Sequence, residues 1–248
     1  YETEIDTRLE GKLGFDRVRT FVADRCSTEY AVTRVTEERF SNDPKVIRER
    51  LALTDEMRLI VMFEENFPTN GYIDCLDFLK PLEKTGYTID ILSLGKLRTM
   101  VETVRKLTNF FMSIKDGVYP NLKRMSAPVL SFPEVQRRID QILDKFGDVK
   151  DTASDKLLEI RRAIKTKEGA ISKRANAILK QAQADGLVDE DAGLSVRDGK
   201  LLIPVNSSSK KKIQGFVYDT SATGKTAFVE PAEIIELENE IVTLHADE

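Results

Sequence analysis

Four apolar side chains recur every seven residues in the sequence, at Leu157, Ile164, Ile171 and Ile178. Apolar residues at this spacing form a narrow stripe along one face of an α-helix. We therefore predict one long helix from about Asp155 to Ala184, which spans roughly 45 Å at about 1.5 Å per residue. A helix of this length should project as an arm, and its apolar stripe needs a partner helix.

The part of the chain before this arm is predicted to be a bundle of helices. Apolar residues at helical spacing indicate five helices. The first begins near Phe15, and the other four cover Ser27–Phe40, Pro44–Glu65, Asp74–Leu82 and Ile89–Ile114. Ile60 and Val61 are both expected to face inward, and Phe110 and Phe111 are expected to be core residues. The segment with Pro120, Pro128 and Pro133 is predicted to be a loop.

After the arm, the apolar pattern changes from helical to strand-like spacing. Short β-prone runs separated by turn residues predict four strands, at Leu194–Val196, Lys200–Val205, Ile213–Tyr218 and Thr226–Val229. A further helix should begin near Pro231 and return along the arm. Since its apolar stripe continues to Glu248 with no stop signal, we expect the chain to be part of a longer protein.

The segment Gly224-Lys225-Thr226 resembles the second half of a phosphate-binding loop, whose full spacing is G-x-x-x-x-G-K-[ST]. Asp219 occupies the position of the first glycine, and its carboxylate would repel phosphate. A helix must follow such a loop, but the residues after Thr226 are β-prone. The segment is therefore predicted to be a hairpin turn between two strands.

Composition narrows the possible functions. The chain has 248 residues, of which 41% are hydrophobic and 32% charged, as in folded globular proteins. No run approaches the roughly 18 apolar residues of a membrane span, so the cytoplasm is the expected location and no membrane partner is expected. His245 is the only histidine, which disfavours histidine-dependent catalysis and histidine-rich metal sites. We predict no catalytic residue, no metal site and no cofactor in this chain.

The β-rich segment is basic although the whole chain carries a net charge of −4. Between Gly193 and Glu230, three acidic residues offset six basic ones, so 6 − 3 leaves a local charge of +3. Lysine and arginine neutralise the phosphates of nucleic acids without reading their sequence. The lysine run could equally be a mobile, solvated loop. The candidate nucleic-acid contacts are Arg197, Lys200, Lys210, Lys211, Lys212 and Lys225.

Several sequence blocks resemble the second branch of bacterial MutS proteins, here called the MutS-two family. The family pattern reads R-x-G-R-x-V-I-P-V, then I-x-G-I-V-H-D, then S-x-[ST]-G-x-T-x-[FY]-[IV]-E-P, then V-E-L-N-N. Tyr218 stands where histidine is common, and Glu238-Asn239 stands for an asparagine pair. The corresponding blocks are Arg197–Val205, Lys211–Asp219, Ser221–Pro231 and Glu236–Ile241, and the opening Lys12–Asp16 is also similar.

The resemblance implies a mainly α architecture, with a helical core, a long lever helix and a small antiparallel β clamp near the end of the chain. The corresponding segments would be 1–150 for the core, 151–192 for the lever, 193–231 for the β clamp and 232–248 for the start of a return lever. An ATPase domain that binds ATP and magnesium, and a nuclease-like Smr domain, would lie beyond Glu248. The full-length protein would be a homodimer.

The resemblance further implies that the clamp binds branched DNA, which suppresses homologous recombination, or the ribosome and its rRNA when ribosomes stall and collide. The alternative is a purely structural module whose helices transmit motion or mediate dimerisation while the tip contacts protein. A third hypothesis, a nucleotide-binding enzyme that uses Gly224-Lys225-Thr226, is disfavoured by Asp219.

Overall fold

The computed structural model describes residues 2–248, with side chains from residue 7 onward. These residues contain ten α-helices and one four-stranded sheet. The chain divides into two units, Tyr1–Lys150 and Asp151–Glu248, and the sheet belongs to the second. The predicted mainly helical fold with a long helix and a small antiparallel sheet is confirmed. Within residues 2–248, no helix is long and apolar enough to cross a bilayer.

The first unit consists of helices, and side chains at their starts set several of their boundaries. Thr28, Asp43 and Asp90 each accept a hydrogen bond from a backbone N–H of the helix that follows, which satisfies donors that have no partner within the helix. The helices are α1 (Glu2–Leu13), α2 (Phe15–Ala23), α3 (Glu29–Glu37), α4 (Pro44–Phe63), α5 (Leu76–Leu79), α6 (Ile91–Ser113), α7 (Pro120–Ser126) and α8 (Pro133–Ile142).

An aromatic cluster forms the core of this unit. Phe110 and Phe111 are buried as predicted, and the Phe67 ring meets the Phe110 ring edge to face with 5.2 Å between centroids. Ile60 is fully buried in the same cluster. The expectation that Val61 also faces inward is wrong, since its side chain is 67% exposed. Val61 is rotated by about 100° from Ile60 around the axis of α4, and this rotation turns its side chain towards solvent.

The prediction of a loop through Pro120, Pro128 and Pro133 is also wrong. Helices α7 and α8 occupy much of that segment, and each begins with a proline. Proline lacks a backbone N–H, but the first residue of a helix has no intrahelical acceptor for that group. The proline ring also holds the backbone near helical dihedral angles. These two prolines therefore start helices, and only Pro128 lies in the connection between them.

The second unit contains the long helix α9 (Asp155–Ala184), whose two ends are those predicted. The Ser154 side chain caps its start by accepting a hydrogen bond from the backbone N–H of Leu157. The helix α10 (Ala232–Asp247) packs against α9, so the expected partner helix is present. Three cross-helix ion pairs define an antiparallel register, namely Arg174–Glu233, Lys167–Glu240 and Arg161–Glu248.

The sheet lies between these helices in sequence and has the strand order β1-β2-β4-β3, with antiparallel neighbours. Its face towards α9 carries Ile203, Val205 and Val229, which form a buried cluster with Leu179 and Ala182 of that helix. Burial of this apolar face attaches the sheet to the end of α9. The strands are β1 (Ser195–Arg197), β2 (Lys200–Asn206), β3 (Gly215–Thr220) and β4 (Thr226–Pro231).

Candidate nucleic-acid interface

Two turns that carry lysines are hydrogen-bonded to each other at one end of the sheet. The first turn, Ser207–Ser209, follows β2 and leads into Lys210, Lys211 and Lys212. The second turn joins β3 to β4 and contains Lys225. The Ser207 backbone N–H donates to the Lys225 carbonyl at 3.0 Å, and the Ser207 hydroxyl donates to the Gly224 carbonyl at 2.5 Å. These bonds hold the two lysine-bearing segments side by side.

The turn with Gly224 and Lys225 is the predicted hairpin turn. The Gly224 N–H donates to the Ser221 carbonyl at 2.9 Å, and the Ser221 hydroxyl accepts from the Thr226 N–H at 3.1 Å. Gly224 has a φ of 70°, a left-handed conformation that glycine adopts without strain. Strand β4 follows directly, whereas a phosphate-binding loop would continue into a helix N-terminus.

All four lysines of these two segments are exposed. We call Lys210, Lys211, Lys212 and Lys225 the lysine strip. Among residues 7–248, whose side chains the structure describes, none of the four forms an ion pair. Four unpaired ammonium groups on adjacent turns produce a local positive potential. Such a potential attracts the phosphate groups of a nucleic acid.

The other two predicted contacts, Arg197 and Lys200, lie at the opposite end of β2. Lys200 begins this strand and Asn206 ends it, and six residues at about 3.3 Å each separate them by roughly 20 Å. Arg197 and Lys200 face each other across the two-residue turn Asp198-Gly199. The structure therefore brings together four of the six predicted residues and places the remaining two elsewhere.

Arg197 and Lys200 also differ from the lysine strip because both have acidic partners. Arg197 forms an ion pair with Asp219 and stacks on the Phe228 ring, with its guanidinium carbon 4.0 Å from the centroid. The Lys200 ammonium lies 3.3 Å from Glu230 Oε2. These contacts neutralise the positive charges of Arg197 and Lys200 and link neighbouring strands of the sheet. Both residues therefore have a structural role within the sheet.

The acidic partners of Arg197, Lys200 and Tyr218 were not predicted from the sequence. The Tyr218 hydroxyl donates a hydrogen bond to Asp198, which raises the pKa of the tyrosine, with burial as a further cause. Tyr218 occupies a bulge in β3 opposite β4. A bulge inserts an extra residue and redirects its side chain, so strand alternation alone could not have placed Tyr218 next to Asp198.

Within residues 7–248, no three side chains of the His, Cys, Asp and Glu types are grouped to hold a metal ion. His245 lies in the last turn of α10, where its Nδ1 is 3.0 Å from Glu248 Oε2. This contact accounts for the histidine as a helix-end residue. The exposed lysine strip is therefore the charged feature that the structure presents at this end of the sheet.

The chain is similar along nearly its whole length to curated bacterial proteins. The "Endonuclease MutS2" of Listeria innocua is 28% identical over 246 residues, which cover 98% of this chain and 31% of that protein. The protein of the same name from Clostridium perfringens is 29% identical over 241 residues, covering 97% of this chain and 30% of the relative. No protein-family model matches the chain. These relatives confirm the resemblance to MutS-two proteins. The chain spans about a third of the length of the relatives that it matches.

Proposed function

From this relationship to proteins named Endonuclease MutS2, we propose that the chain is the core, lever and clamp segment of a MutS-two protein, and that its lysine strip binds nucleic-acid phosphates. The ligand would be branched DNA or the RNA of stalled, collided ribosomes. The observation that carries the proposal is the placement of four exposed, unpaired lysines on two turns that hydrogen-bond each other. Phosphate contacts of this kind need no sequence-specific readout.

The surroundings of the lysine strip support a binding role. Backbone hydrogen bonds fix the two turns, and the strands β2 and β4 next to them carry Ile203, Val205 and Val229 of the buried cluster. The backbone of the two turns is already ordered before a ligand binds. Binding therefore has to order only the lysine side chains, and this lowers its cost in conformational entropy. Helices α9 and α10 would form the lever that moves this tip.

The chemistry of the longer protein is part of the proposal. An ATPase domain with ATP and magnesium would drive opening and closing of the clamp, and a nuclease-like Smr domain would account for the word endonuclease in the names of the relatives. No residue of this chain is assigned a catalytic role. The protein would act as a homodimer.

The test of nucleic-acid binding is the salt dependence of affinity. The four lysines of the strip are replaced by glutamine, and binding of a fluorescent four-way DNA junction is measured by anisotropy at several salt concentrations. Each phosphate contact on duplex DNA contributes about 0.9 to the slope of log K against log salt, so loss of three to four contacts should reduce that slope by roughly 3. Affinity at low salt should fall at the same time.

The control variant also removes four positive charges, but from α9. Lys156, Lys165, Lys173 and Lys180 are exposed on that helix, and their replacement by glutamine changes the net charge equally. The control should keep the wild-type slope. Equal slopes for the wild type and the strip variant would contradict the proposal, as would an equal loss in both variants, which would indicate an effect of net charge alone.

The physiological ligand is tested with the full-length protein. Sedimentation with purified ribosomes and binding to the DNA junction are compared for the wild type and the strip variant. A loss in only one assay identifies the ligand class. If both assays are unchanged while association with a protein partner is lost, the alternative of a structural module that contacts protein is favoured.

A further inference from the structure

A groove lies next to the lysine strip, where the sheet meets the end of α9 and the start of α10. Its volume of about 450 Å³ is within the range of about 300–1,000 Å³ that is typical of small-ligand pockets. Its apolar lining includes Ile178, Leu187 and Ile213, which are half-buried and pack against the cluster between α9 and the sheet. Lys212 of the lysine strip lines the same groove. The groove therefore has an apolar floor and shares a residue with the strip.

The register of the two long helices explains why this floor stays open. Arg174 of α9 pairs with Glu233, which is the second residue of α10. Ile178 lies about one turn further along α9, in the direction in which α10 has already ended. Ile178 belongs to the seven-residue apolar stripe, but α10 does not extend far enough to cover it. The last residue of the stripe therefore lines a groove.

Backbone hydrogen bonds hold the walls of the groove in place. The Gln214 carbonyl accepts a bond of 2.9 Å from the Ala232 N–H, which ties the segment after Lys212 to the start of α10. The Leu187 carbonyl accepts a bond of 3.0 Å from the Asn206 N–H at the end of β2. The groove is thus formed before a ligand arrives, and this lowers the entropic cost of binding.

The charges in the groove differ from those of the strip. Two cations that line it, Arg174 and Lys212, are offset by two carboxylates, Asp185 and Glu233. Glu233 also fixes the Arg174 guanidinium, with 3.0 Å between Arg174 Nη2 and Glu233 Oε1. A guanidinium held in this way offers a flat surface on which an aromatic ring can stack. A neutral groove with an apolar floor thus adjoins a strip of four positive charges.

We propose that this groove binds an unpaired nucleobase whose phosphate lies on the lysine strip. The inference rests on the proposed binding of phosphates by the strip, and it adds that the ligand carries an unpaired nucleotide. A nucleotide has the two matching parts, an uncharged flat base and a charged phosphate. The base would lie on Ile178 and Ile213 beside the Arg174 guanidinium, where its burial removes apolar surface from water.

This arrangement favours nucleic acids that already contain unpaired nucleotides. A base within a duplex must be unpaired and unstacked before it can enter a protein groove, which costs free energy. A nucleotide that is already unpaired avoids most of this cost. The groove therefore selects branched, bulged or looped nucleic acids over continuous duplex without reading their sequence.

The test compares two DNA duplexes of equal length with one bulged nucleotide, which carries a base in one duplex and is abasic in the other. Both duplexes have the same phosphates, so their affinities for the full chain, measured by anisotropy, isolate the contribution of the base. The duplex with the base should bind at least about fivefold more tightly. Equal affinities overturn the inference. If the strip variant still weakens both duplexes, the proposed function stands and only the inference fails. Binding that the strip variant does not weaken contradicts both.

A matched pair of variants locates the effect in the groove. Ala177 lines the groove from an exposed position of α9, so Ala177→Gln fills part of the groove without removing a core contact. This variant should lose most of the preference for the base and keep its affinity for the abasic duplex. Ala184→Gln, the same change at an exposed position of α9 outside the groove, should retain the preference. An Ala177→Gln variant that keeps the full preference overturns the inference, and if it loses a protein partner instead, the groove binds protein.

A measurement on the unmodified sequence completes the test. In the chain with ¹³C-methyl-labelled isoleucine, the resonances of Ile178 and Ile213 should shift more with the base-bearing duplex than with the abasic one, because the base ring lies against them. The resonance of Ile60, in the core of the first unit, should not differ between the two duplexes. Identical spectra with the two duplexes at saturation overturn the inference.

Discussion

Removal of the Glu56 carboxylate should destabilise the first unit. Glu56 lies on α4, is 7% exposed, and accepts three hydrogen bonds at the start of α7. Its donors are the backbone N–H and the side-chain amide of Asn121, at 2.9 and 3.0 Å, and the backbone N–H of Leu122 at 2.7 Å. The N-cap residue of α7, Tyr119, makes no side-chain cap bond, so Glu56 replaces the local cap.

The magnitude follows from these contacts. Loss of a helix cap costs about 0.5–2 kcal/mol, and a hydrogen bond to a charged group contributes about 1.5–3 kcal/mol. Since Glu56→Ala removes one cap made of several such bonds, and water can partly solvate the freed donors, we expect a loss of about 3 kcal/mol. Glu56→Gln retains an acceptor oxygen without the charge, and should cost about 1 kcal/mol.

The assay is urea denaturation of the full chain followed by circular dichroism, together with amide exchange at Asn121 and Leu122. Exchange at these two amides should accelerate in Glu56→Ala before the helices of the second unit are affected. Glu49→Ala, an exposed change on the same helix, is the matched control. A Glu56→Ala variant within about 0.5 kcal/mol of the wild type would refute the reasoning, because that is the range of ordinary surface changes.

Two further predictions concern close packing and acid sensitivity. Gly215→Ala would place a Cβ atom 2.2 Å from the Glu230 carbonyl oxygen. The free energy of unfolding, measured by thermal denaturation, should therefore fall by about 1–3 kcal/mol. The control is Gly193→Ala, whose Cβ atom would meet no atom within 4 Å and should cause no such steric loss of stability. Hydrogen bonding from Arg105 lowers the pKa of Glu102 to about 2. The stability this interaction contributes is present above about pH 4.5 and lost as pH falls towards 2, so Glu102→Gln should flatten the acid limb of the unfolding profile measured by circular dichroism. An acid limb as steep as that of the wild type would count against this role of Glu102.

Elements with a strong local pattern were predictable from the sequence. Both ends of α9 follow from the seven-residue stripe, and the hairpin turn at Gly224 follows from its glycine and the β-prone residues around it. Helices α7 and α8 were missed because proline was interpreted as a loop signal, although it also starts helices. Val61 was misplaced because its hydrophobicity alone does not specify a direction.

The sequence by itself determined the mainly helical architecture, the small sheet and the basic character of its turns, since these properties depend on residues close together in the chain. Only the tertiary structure decided which charges are free. Arg197 and Lys200 are neutralised by Asp219 and Glu230, which lie 22 and 30 residues away in sequence, while the lysine strip has no such partner among the described residues. Electrostatic interaction depends on distance in space, and strand pairing sets that distance for residues that are remote in the chain.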